Sequence, residues 1–105
     1  MHKLAAFSSI HQQLFQSPLD PNQDAIVHRS LQLAAVQMRR KILFMGHANR
    51  IRLHYGAIMS MVEIMTTLYG MWLKVDPLNP SLPERDRFVL SKGHGAPGLY
   101  VALWL

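Results

Sequence analysis

The sequence predicts an α/β protein that is mostly helical, with one short strand at about residues 87–91. Two observations carry this prediction. Apolar residues recur at helical spacing over about six turns, beginning near residue 25. Further along, the β-type run Phe88-Val89-Leu90 leads into a Gly-His-Gly corner at 93–95, and an apolar helical pattern follows over residues 96–105. A strand, a glycine-rich corner and a helix in this order are typical of an α/β connection.

The bulk composition limits the chain to one small domain. It has 105 residues, of which 50% are hydrophobic, and a domain of this size buries only part of its surface. We therefore expect some apolar surface to need a partner or a further part of the polypeptide. The formal net charge is +5, which favours an anionic partner, and the absence of cysteine excludes disulfides. No apolar run reaches the roughly 18 residues of a membrane span, and the cytoplasm is the expected compartment.

The chain divides into an extension, residues 1–23, and one partial domain, residues 24–105. The extension is rich in Ser and Gln, contains two prolines and shows no sustained period, although a short helical turn is expected near residues 10–15. Asn22 or Asp24 can cap a helix that begins near Ala25. Gly46 is predicted to follow the end of this helix. Its buried stripe is predicted to consist of Val27, Leu31, Ala34, Ala35, Met38, Ile42 and Met45.

A second helix is predicted after a loop at residues 47–59. Ser60 and Glu63 have the spacing of a capping box, so the helix should begin at Ser60. Its buried stripe is predicted to consist of Met61, Ile64, Met65, Leu68 and Trp72. Residues 76–83 then carry three prolines at three-residue intervals. Such a segment is typical of a rigid connector, and the alternative is a polyproline ligand for an aromatic groove.

The Gly-His-Gly corner is a candidate anion-binding site. Pro97 suits the first turn of a helix, and the free N–H groups of that turn favour a phosphate beside Lys92 and His94. Gly93 and Gly95 allow the backbone to approach such a ligand closely. On spacing alone, a plain α/β connection remains the alternative interpretation.

Three blocks of the chain resemble the N-terminal section of transketolases and their thiamine-diphosphate-dependent relatives. The first is MRRKIL at 38–43, which resembles the opening helix of the family. The second is HYG at 54–56, followed by SMVEI at 60–64 and LY at 68–69. The third is VDP at 75–77 with NP at 79–80, then RDRFVLSKGHGAP at 85–97 and LY at 99–100. Together the blocks cover about residues 36–105.

The resemblance implies an α/β fold and the transfer of a two-carbon ketol unit between phosphorylated sugars. The cofactor would be thiamine diphosphate, held with Mg²⁺ or Ca²⁺. His94, with Gly93, Gly95 and Lys92, would contact the diphosphate end of the cofactor. His54 would be catalytic, facing the sugar and assisting proton transfer or hydroxyl positioning. Imidazole suits this task because its unperturbed pKa of about 6.5 lets it donate or accept a proton near neutral pH.

The chain also departs from the family pattern. Leu53, Tyr55 and Ala57 stand where the family has glycine or other small or turn-forming residues, which places bulk near His54. The family's metal-anchoring Gly-Asp-Gly…Asn signature and its pyrimidine-binding domain lie outside these 105 residues. We therefore expect a truncated chain that is inactive alone and that needs the missing sequence, a C-terminal partner subunit or a homodimer.

Two alternatives remain beside the fragment of a transketolase-type enzyme. One is a non-catalytic, truncated relative. The other is a small basic nucleic-acid-binding or interaction protein, suggested by basic residues without an acid between Asp24 and Glu63. That stretch lacks interleaved aromatic residues and a helix-turn-helix pattern, so nucleic acid is not the expected partner. His47 and His54 have no cysteine or carboxylate to complete a metal set, and no metal ligand is predicted.

Overall fold

The computed structural model describes residues 20–105. The helical turn expected near residues 10–15 lies outside these residues, as does most of the predicted extension. The described part folds into four α-helices joined by short connections. A π-helical segment, Leu68–Trp72, continues the third helix, and a 3₁₀ turn, Gly93–Gly95, leads into the fourth. The α-helices are α1 (Pro21–Ala48), α2 (Tyr55–Met59), α3 (Val62–Thr67) and α4 (Ala96–Trp104).

Helix α1 begins before the predicted start because Asp20 caps it. The Asp20 carboxylate accepts a hydrogen bond from the Gln23 backbone N–H at 2.8 Å, and the Gln23 side chain accepts one from the Asp20 N–H at 3.2 Å. This is a capping box, and Pro21 occupies the first turn, where its missing N–H has no cost. The predicted start near Ala25 was wrong, so residues 20–23 belong to the helix and its cap.

The predicted apolar stripe of α1 is confirmed. Its buried members are Val27, Ala35, Met38 and Ile42, and the remaining three are half-buried. The predicted end at Gly46 was wrong, because the helix continues to Ala48 and Asn49 caps it. The Asn49 side chain donates to the Met45 carbonyl at 2.8 Å, which satisfies one of the free carbonyls at this end.

The segment predicted as one loop, residues 47–59, contains the end of α1, a short connection and helix α2. Ser60 does not begin a helix. Its hydroxyl donates to the Ala57 carbonyl at 3.0 Å at the end of α2, and α3 begins at Val62 without a side-chain cap. Glu63 therefore forms no capping box with Ser60, and its carboxylate pairs with Arg39 of α1 at 2.5 Å.

The stripe predicted for the second helix is only partly correct. Met61 and Met65 are buried, but Ile64 and Trp72 are exposed by 60% and 56%. Val62 and Thr66 take buried positions instead. Ile64 lies outside the buried face of α3, and Trp72 lies within the π-helical segment, whose wider turn departs from the α-helical spacing of the prediction.

The core lies where α1, α3 and α4 meet, with α2 at one end. Its six largest fully buried side chains come from all four helices. Met38 and Ile42 of α1 lie at its centre, and several half-buried apolar residues pack around it. The buried cluster consists of Ala35, Met38, Ile42, Ile58, Met61, Val62, Met65, Val101 and Ala102.

The strand predicted at about 87–91 is absent from the part of the chain that the structure describes. Phe88 and Leu90 pack against the core while Val89 between them is 87% exposed, so the alternating pattern itself is present. A strand also needs a neighbouring strand to accept and donate its backbone hydrogen bonds, and residues 20–105 provide none. The segment before it is anchored to Lys74, whose N–H donates to the Asp86 carboxylate at 2.7 Å.

The surplus of apolar surface that the composition predicts is visible on α1 and α4. One face of α1 forms the core, and the opposite face carries a second apolar row. Lys41 lies over the ring of Trp104 at 4.2 Å from its centroid, and Phe44 lies beside the same ring at 6.5 Å. The large apolar side chains of α1 and α4 that are more than half exposed are Ile26, Leu33, Val36, Leu43, Phe44, Tyr100, Leu103 and Trp104. Among residues 20–105, no helix combines the length and the apolar character needed to cross a bilayer.

Candidate active site

The two histidines predicted for the site lie in direct contact. The imidazole rings of His54 and His94 stack with their centroids 3.9 Å apart and an angle of 11° between their planes. Both residues are exposed. Within the described residues, no hydrogen bond occupies their ring nitrogens, so the edges of both rings are open to a ligand. The fold therefore brings the two histidine motifs of the sequence into one site.

The backbone that carries His54 is fixed to the core. His54 precedes the first residue of α2, and its carbonyl accepts a hydrogen bond from the Ile58 N–H at 3.1 Å. Ile58 is fully buried. Leu53, on the other side of His54, is half-buried and packs against the core. The His54 side chain is therefore exposed on a fixed backbone, which gives its ring a defined position.

His94 lies in the 3₁₀ turn, and Gly95 holds that turn close to the junction between α2 and α3. Gly95 is buried, and a Cβ at this position would lie 2.6 Å from the sulfur of Met61. Gly98, one turn into α4, packs in the same way, since its Cβ would lie 3.3 Å from a methyl group of Ile58. These two glycines allow α4 and the turn before it to approach α2.

Gly93 differs from Gly95 because its side-chain position faces open space. No atom lies within 4 Å of a Cβ built there. Among the described residues no glycine has a positive φ, so backbone conformation does not require glycine at either position. Gly93 is therefore the residue of the corner at which a ligand can approach the backbone closely.

Lys92 fastens the corner to the end of α2. Its ammonium group donates to the Ala57 carbonyl at 2.8 Å and to the Ser60 hydroxyl at 3.1 Å. An ammonium group has three donors, so one N–H remains beyond these two bonds. The predicted contact of Lys92 with a cofactor stays a prediction. The hydrogen bonds to α2 were not predicted from the sequence, because they join residues far apart along the chain.

The three bulky replacements near His54 cause no backbone strain. Among residues 20–105, the only non-glycine residue with a positive φ is Arg50, at 51°. Leu53 and Ala57 therefore have ordinary backbone angles. The side chains of Leu53 and Tyr55 both lie beside Gly46 of α1. Their bulk is thus placed against α1, although they flank His54 in the sequence.

Glu63 and Tyr69, which lie outside the histidine pair, have shifted pKa values. A hydrogen bond from Arg39, assisted by a backbone hydrogen bond, lowers the pKa of Glu63 below its usual value of 4.5. Burial raises the pKa of Tyr69, whose ring packs edge-on against Phe88 at 6.0 Å. Among residues 20–105, no group of three or more His, Asp or Glu side chains is arranged to hold a metal ion.

Comparison with known proteins identifies the family. The sequence profile described as "Transketolase, thiamine diphosphate binding domain" matches residues 31–105. The chain is 44% identical over 73 residues to one subunit of the apulose-4-phosphate transketolase of Actinobacillus succinogenes, which covers 70% of this chain and 26% of that protein. It is 56% identical over 52 residues to the 6-deoxy-6-sulfo-D-fructose transketolase subunit SqwG of Clostridium sp., covering 50% of this chain and 19% of that protein.

A third relative is Transketolase 1 of Escherichia coli, which is 50% identical over 52 residues, covering 50% of this chain and 8% of that protein. No solved structure matches the chain. The matched profile defines residues 31–105 as a thiamine diphosphate binding domain. The chain belongs to the transketolase family through this domain. It spans about a quarter or less of the length of these relatives.

Proposed function

We propose that this chain provides the two-histidine part of a transketolase-type active site, which transfers a ketol unit between phosphorylated sugars. The observation that supports this proposal is the stacked pair of His54 and His94, with ring edges open to a ligand. One relative is named for apulose-4-phosphate and another for 6-deoxy-6-sulfo-D-fructose. These names support an anionic sugar as the substrate class, and we propose a phosphorylated sugar for this chain, acting in the cytoplasm.

The residues of the corner fit the diphosphate of thiamine diphosphate. His94 offers a ring nitrogen without a protein partner in the described residues, and Gly93 leaves open space at its side-chain position. Imidazole and backbone N–H groups are suitable donors to a phosphate. When bound, the cofactor supplies the electron sink for carbon–carbon bond cleavage. His94 would orient its diphosphate end, and Gly95 and Lys92 would keep the corner in place.

His54 would act on the sugar. Its ring lies against His94, so a group bound at one ring lies beside the other. An imidazole with open nitrogens can donate or accept a proton near neutral pH, or it can position a hydroxyl group by hydrogen bonding. We propose that His54 holds or moves a proton at the sugar's reacting hydroxyl.

The divalent ion that the family implies, Mg²⁺ or Ca²⁺, would require ligands from other sequence. Hard cations of this kind bind through carboxylate and carbonyl oxygens, and residues 20–105 do not gather a carboxylate set. The apolar row on α1 and α4 also remains uncovered in the described part. We therefore propose that the chain works with the polypeptide equivalent to the rest of its relatives, as one chain, with a partner subunit or within a homodimer.

A segment exchange tests this function. Residues 31–105 would replace the equivalent segment of Escherichia coli Transketolase 1, and ketol transfer would be measured with thiamine diphosphate, Mg²⁺ and pentose phosphates. We expect turnover from the exchanged enzyme and none from the 105-residue chain alone. A folded exchanged enzyme without turnover would contradict the proposal for this segment. Turnover by the chain alone would contradict its dependence on further sequence.

The alternative function, nucleic-acid binding, is less well supported by the geometry. Two charges of the basic stretch have partners within the fold, because Arg39 pairs with Glu63 and Lys41 lies over Trp104. Phosphate contacts from free Lys and Arg side chains supply most non-specific affinity for nucleic acid. Retention of the chain on DNA or RNA at low salt, lost as salt increases, would favour this alternative. The segment exchange also tests the other alternative, a non-catalytic relative, because that alternative predicts a folded exchanged enzyme without turnover.

A further inference from the structure

We propose that Gly46 is a positioning residue for the histidine pair. The space left by its missing side chain accommodates Tyr55 and Leu53, the two neighbours of His54, and so sets the place of the His54 ring against His94. The importance of this position for catalysis rests on the proposed function. The effect of Gly46 on the ring geometry is independent of that function, because the stacking of the two rings can be measured without turnover.

Gly46 lies in the last turn of α1, in helical backbone that does not require glycine. Its φ is not positive, and glycine in a helix interior is less stable than alanine because it loses more backbone freedom. Neither backbone conformation nor helix propensity explains the residue. Packing explains it: a Cβ at position 46 would overlap the hydroxyl of Tyr55 and would lie 3.2 Å from the Cζ atom of the same ring.

Leu53 contacts the same point of α1 from the other side of His54. Its Cδ1 atom would lie 3.1 Å from the added Cβ. The connection before it is also tied to the glycine, since the Ile51 N–H donates to the Gly46 carbonyl at 3.2 Å. Both chain neighbours of His54 therefore rest on one position of α1. A side chain at that position must displace one of them, and the backbone of His54 moves with it.

The size of the displacement can be varied by mutation. Gly46→Ala introduces the overlap with the Tyr55 hydroxyl, and overpacking of this kind shifts side chains and backbone. Tyr55→Phe removes that hydroxyl and keeps the ring. The double variant Gly46→Ala/Tyr55→Phe should therefore recover part of the original geometry. Gly56→Ala is the matched control, because it is two residues from His54 and no atom lies within 4 Å of its added Cβ.

The measurement is the nuclear Overhauser effect between the ring protons of His54 and His94 in the full 105-residue chain, with the fold checked by circular dichroism. We expect a strong inter-ring effect in the unchanged chain and in Gly56→Ala. In Gly46→Ala it should fall several-fold, because the effect decreases steeply with distance, and Gly46→Ala/Tyr55→Phe should restore part of it. An unchanged inter-ring effect in a folded Gly46→Ala variant would overturn the proposal.

If Gly46→Ala does not fold, a second variant tests the positioning role of Gly46. Tyr55→Ala removes the ring that rests on Gly46 without adding atoms, and the inter-ring effect should again fall several-fold. If it stays at full strength in Tyr55→Ala, the proposal is overturned. Failure of the proposed function gives a different result: the inter-ring effect responds as expected, but the exchanged enzyme transfers no ketol unit with or without Gly46→Ala.

Discussion

The sulfur of Met61 lies against Gly95, at a point where a Cβ on residue 95 would be only 2.6 Å from it. Met61 joins α2 to α3 and is buried in the core, whereas Gly95 ends the turn that carries His94. This contact connects the core to the exposed histidine pair. The packing of Met61 against Gly95 therefore helps to set the position of His94.

The two glycines of the corner should respond differently to alanine. Gly95→Ala places a methyl group against Met61, and overpacking of this kind should lower the free energy of unfolding by about 1–3 kcal/mol. Gly93→Ala adds a methyl group in open space, so the free energy of unfolding should change by less than about 0.5 kcal/mol. Urea unfolding followed by circular dichroism measures both. Equal losses in the two variants would contradict the packing role of Gly95.

Lys92 should stabilise the corner as well as carry charge. Lys92→Met keeps the aliphatic stem but removes both hydrogen bonds to α2, which should lower the free energy of unfolding by about 1 kcal/mol. Lys74→Met is the control, since it removes the same charge and the hydrogen bonds of Lys74 come from its backbone. If both variants unfold at the same urea concentration, the bonds of Lys92 to Ala57 and Ser60 do not stabilise the fold.

Met38 is a core residue of α1 whose truncation should lower stability strongly. It is fully buried, and Met38→Ala should lower the free energy of unfolding by about 2–5 kcal/mol through lost burial and the cavity left behind. Leu33→Ala, on the exposed face of the same helix, should change it by no more than about 0.5 kcal/mol in the isolated chain. Thermal and urea unfolding measure the free energy of unfolding of both variants. Similar losses would contradict the assignment of the Met38 face of α1 to the core.

The stability of the fold should decrease in alkaline solution because of Tyr69. Burial raises the pKa of Tyr69 above the value of 10.0 expected for an unfolded chain. Below pH 10 the hydroxyl is neutral in both states and the contribution to stability is complete. As the pH rises through 10 toward the folded pKa, the unfolded state loses its proton first, so stability falls. Tyr69→Phe should reduce this loss, and a pH series of urea midpoints tests it. Identical alkaline slopes in both proteins would contradict the prediction.

Much of α1 was predictable from the sequence, and the roles given to the site residues stay predictions. The apolar stripe of α1 has a clear period because this helix packs against the core along one face. Asp20 and Gln23 also have capping-box spacing in the sequence, but the predicted caps, Asn22 and Asp24, place the start of the helix too late. His54 and His94 were singled out through the resemblance to a family, and the structure brings their rings into contact. Phosphate binding at the corner, predicted from its glycines and Pro97, stays a prediction.

Other features depend on contacts that a sequence pattern does not encode. Gly46 has the spacing of a helix end, and only the packing of Leu53 and Tyr55 shows why glycine lies inside α1. Trp72 lies in the π-helical turn after α3, which departs from α-helical spacing. The residues of that turn carry no pattern that predicts it. The strand pattern around Val89 was correct in its alternation, but pairing requires a neighbour that residues 20–105 do not contain.

We propose that His54 and His94 form one site with divided tasks, and the exchanged enzyme that carries residues 31–105 tests this most directly. His94→Ala should raise the thiamine diphosphate concentration needed for half-maximal activity by roughly 10–100-fold, because it removes a hydrogen bond to a charged group. His54→Ala should lower kcat/KM for the sugar by roughly 10²–10⁴-fold, as expected for loss of a general acid–base group. His47→Ala, an exposed histidine outside the pair, should leave both quantities unchanged. If all three variants behave alike, the stacked pair is not the active site.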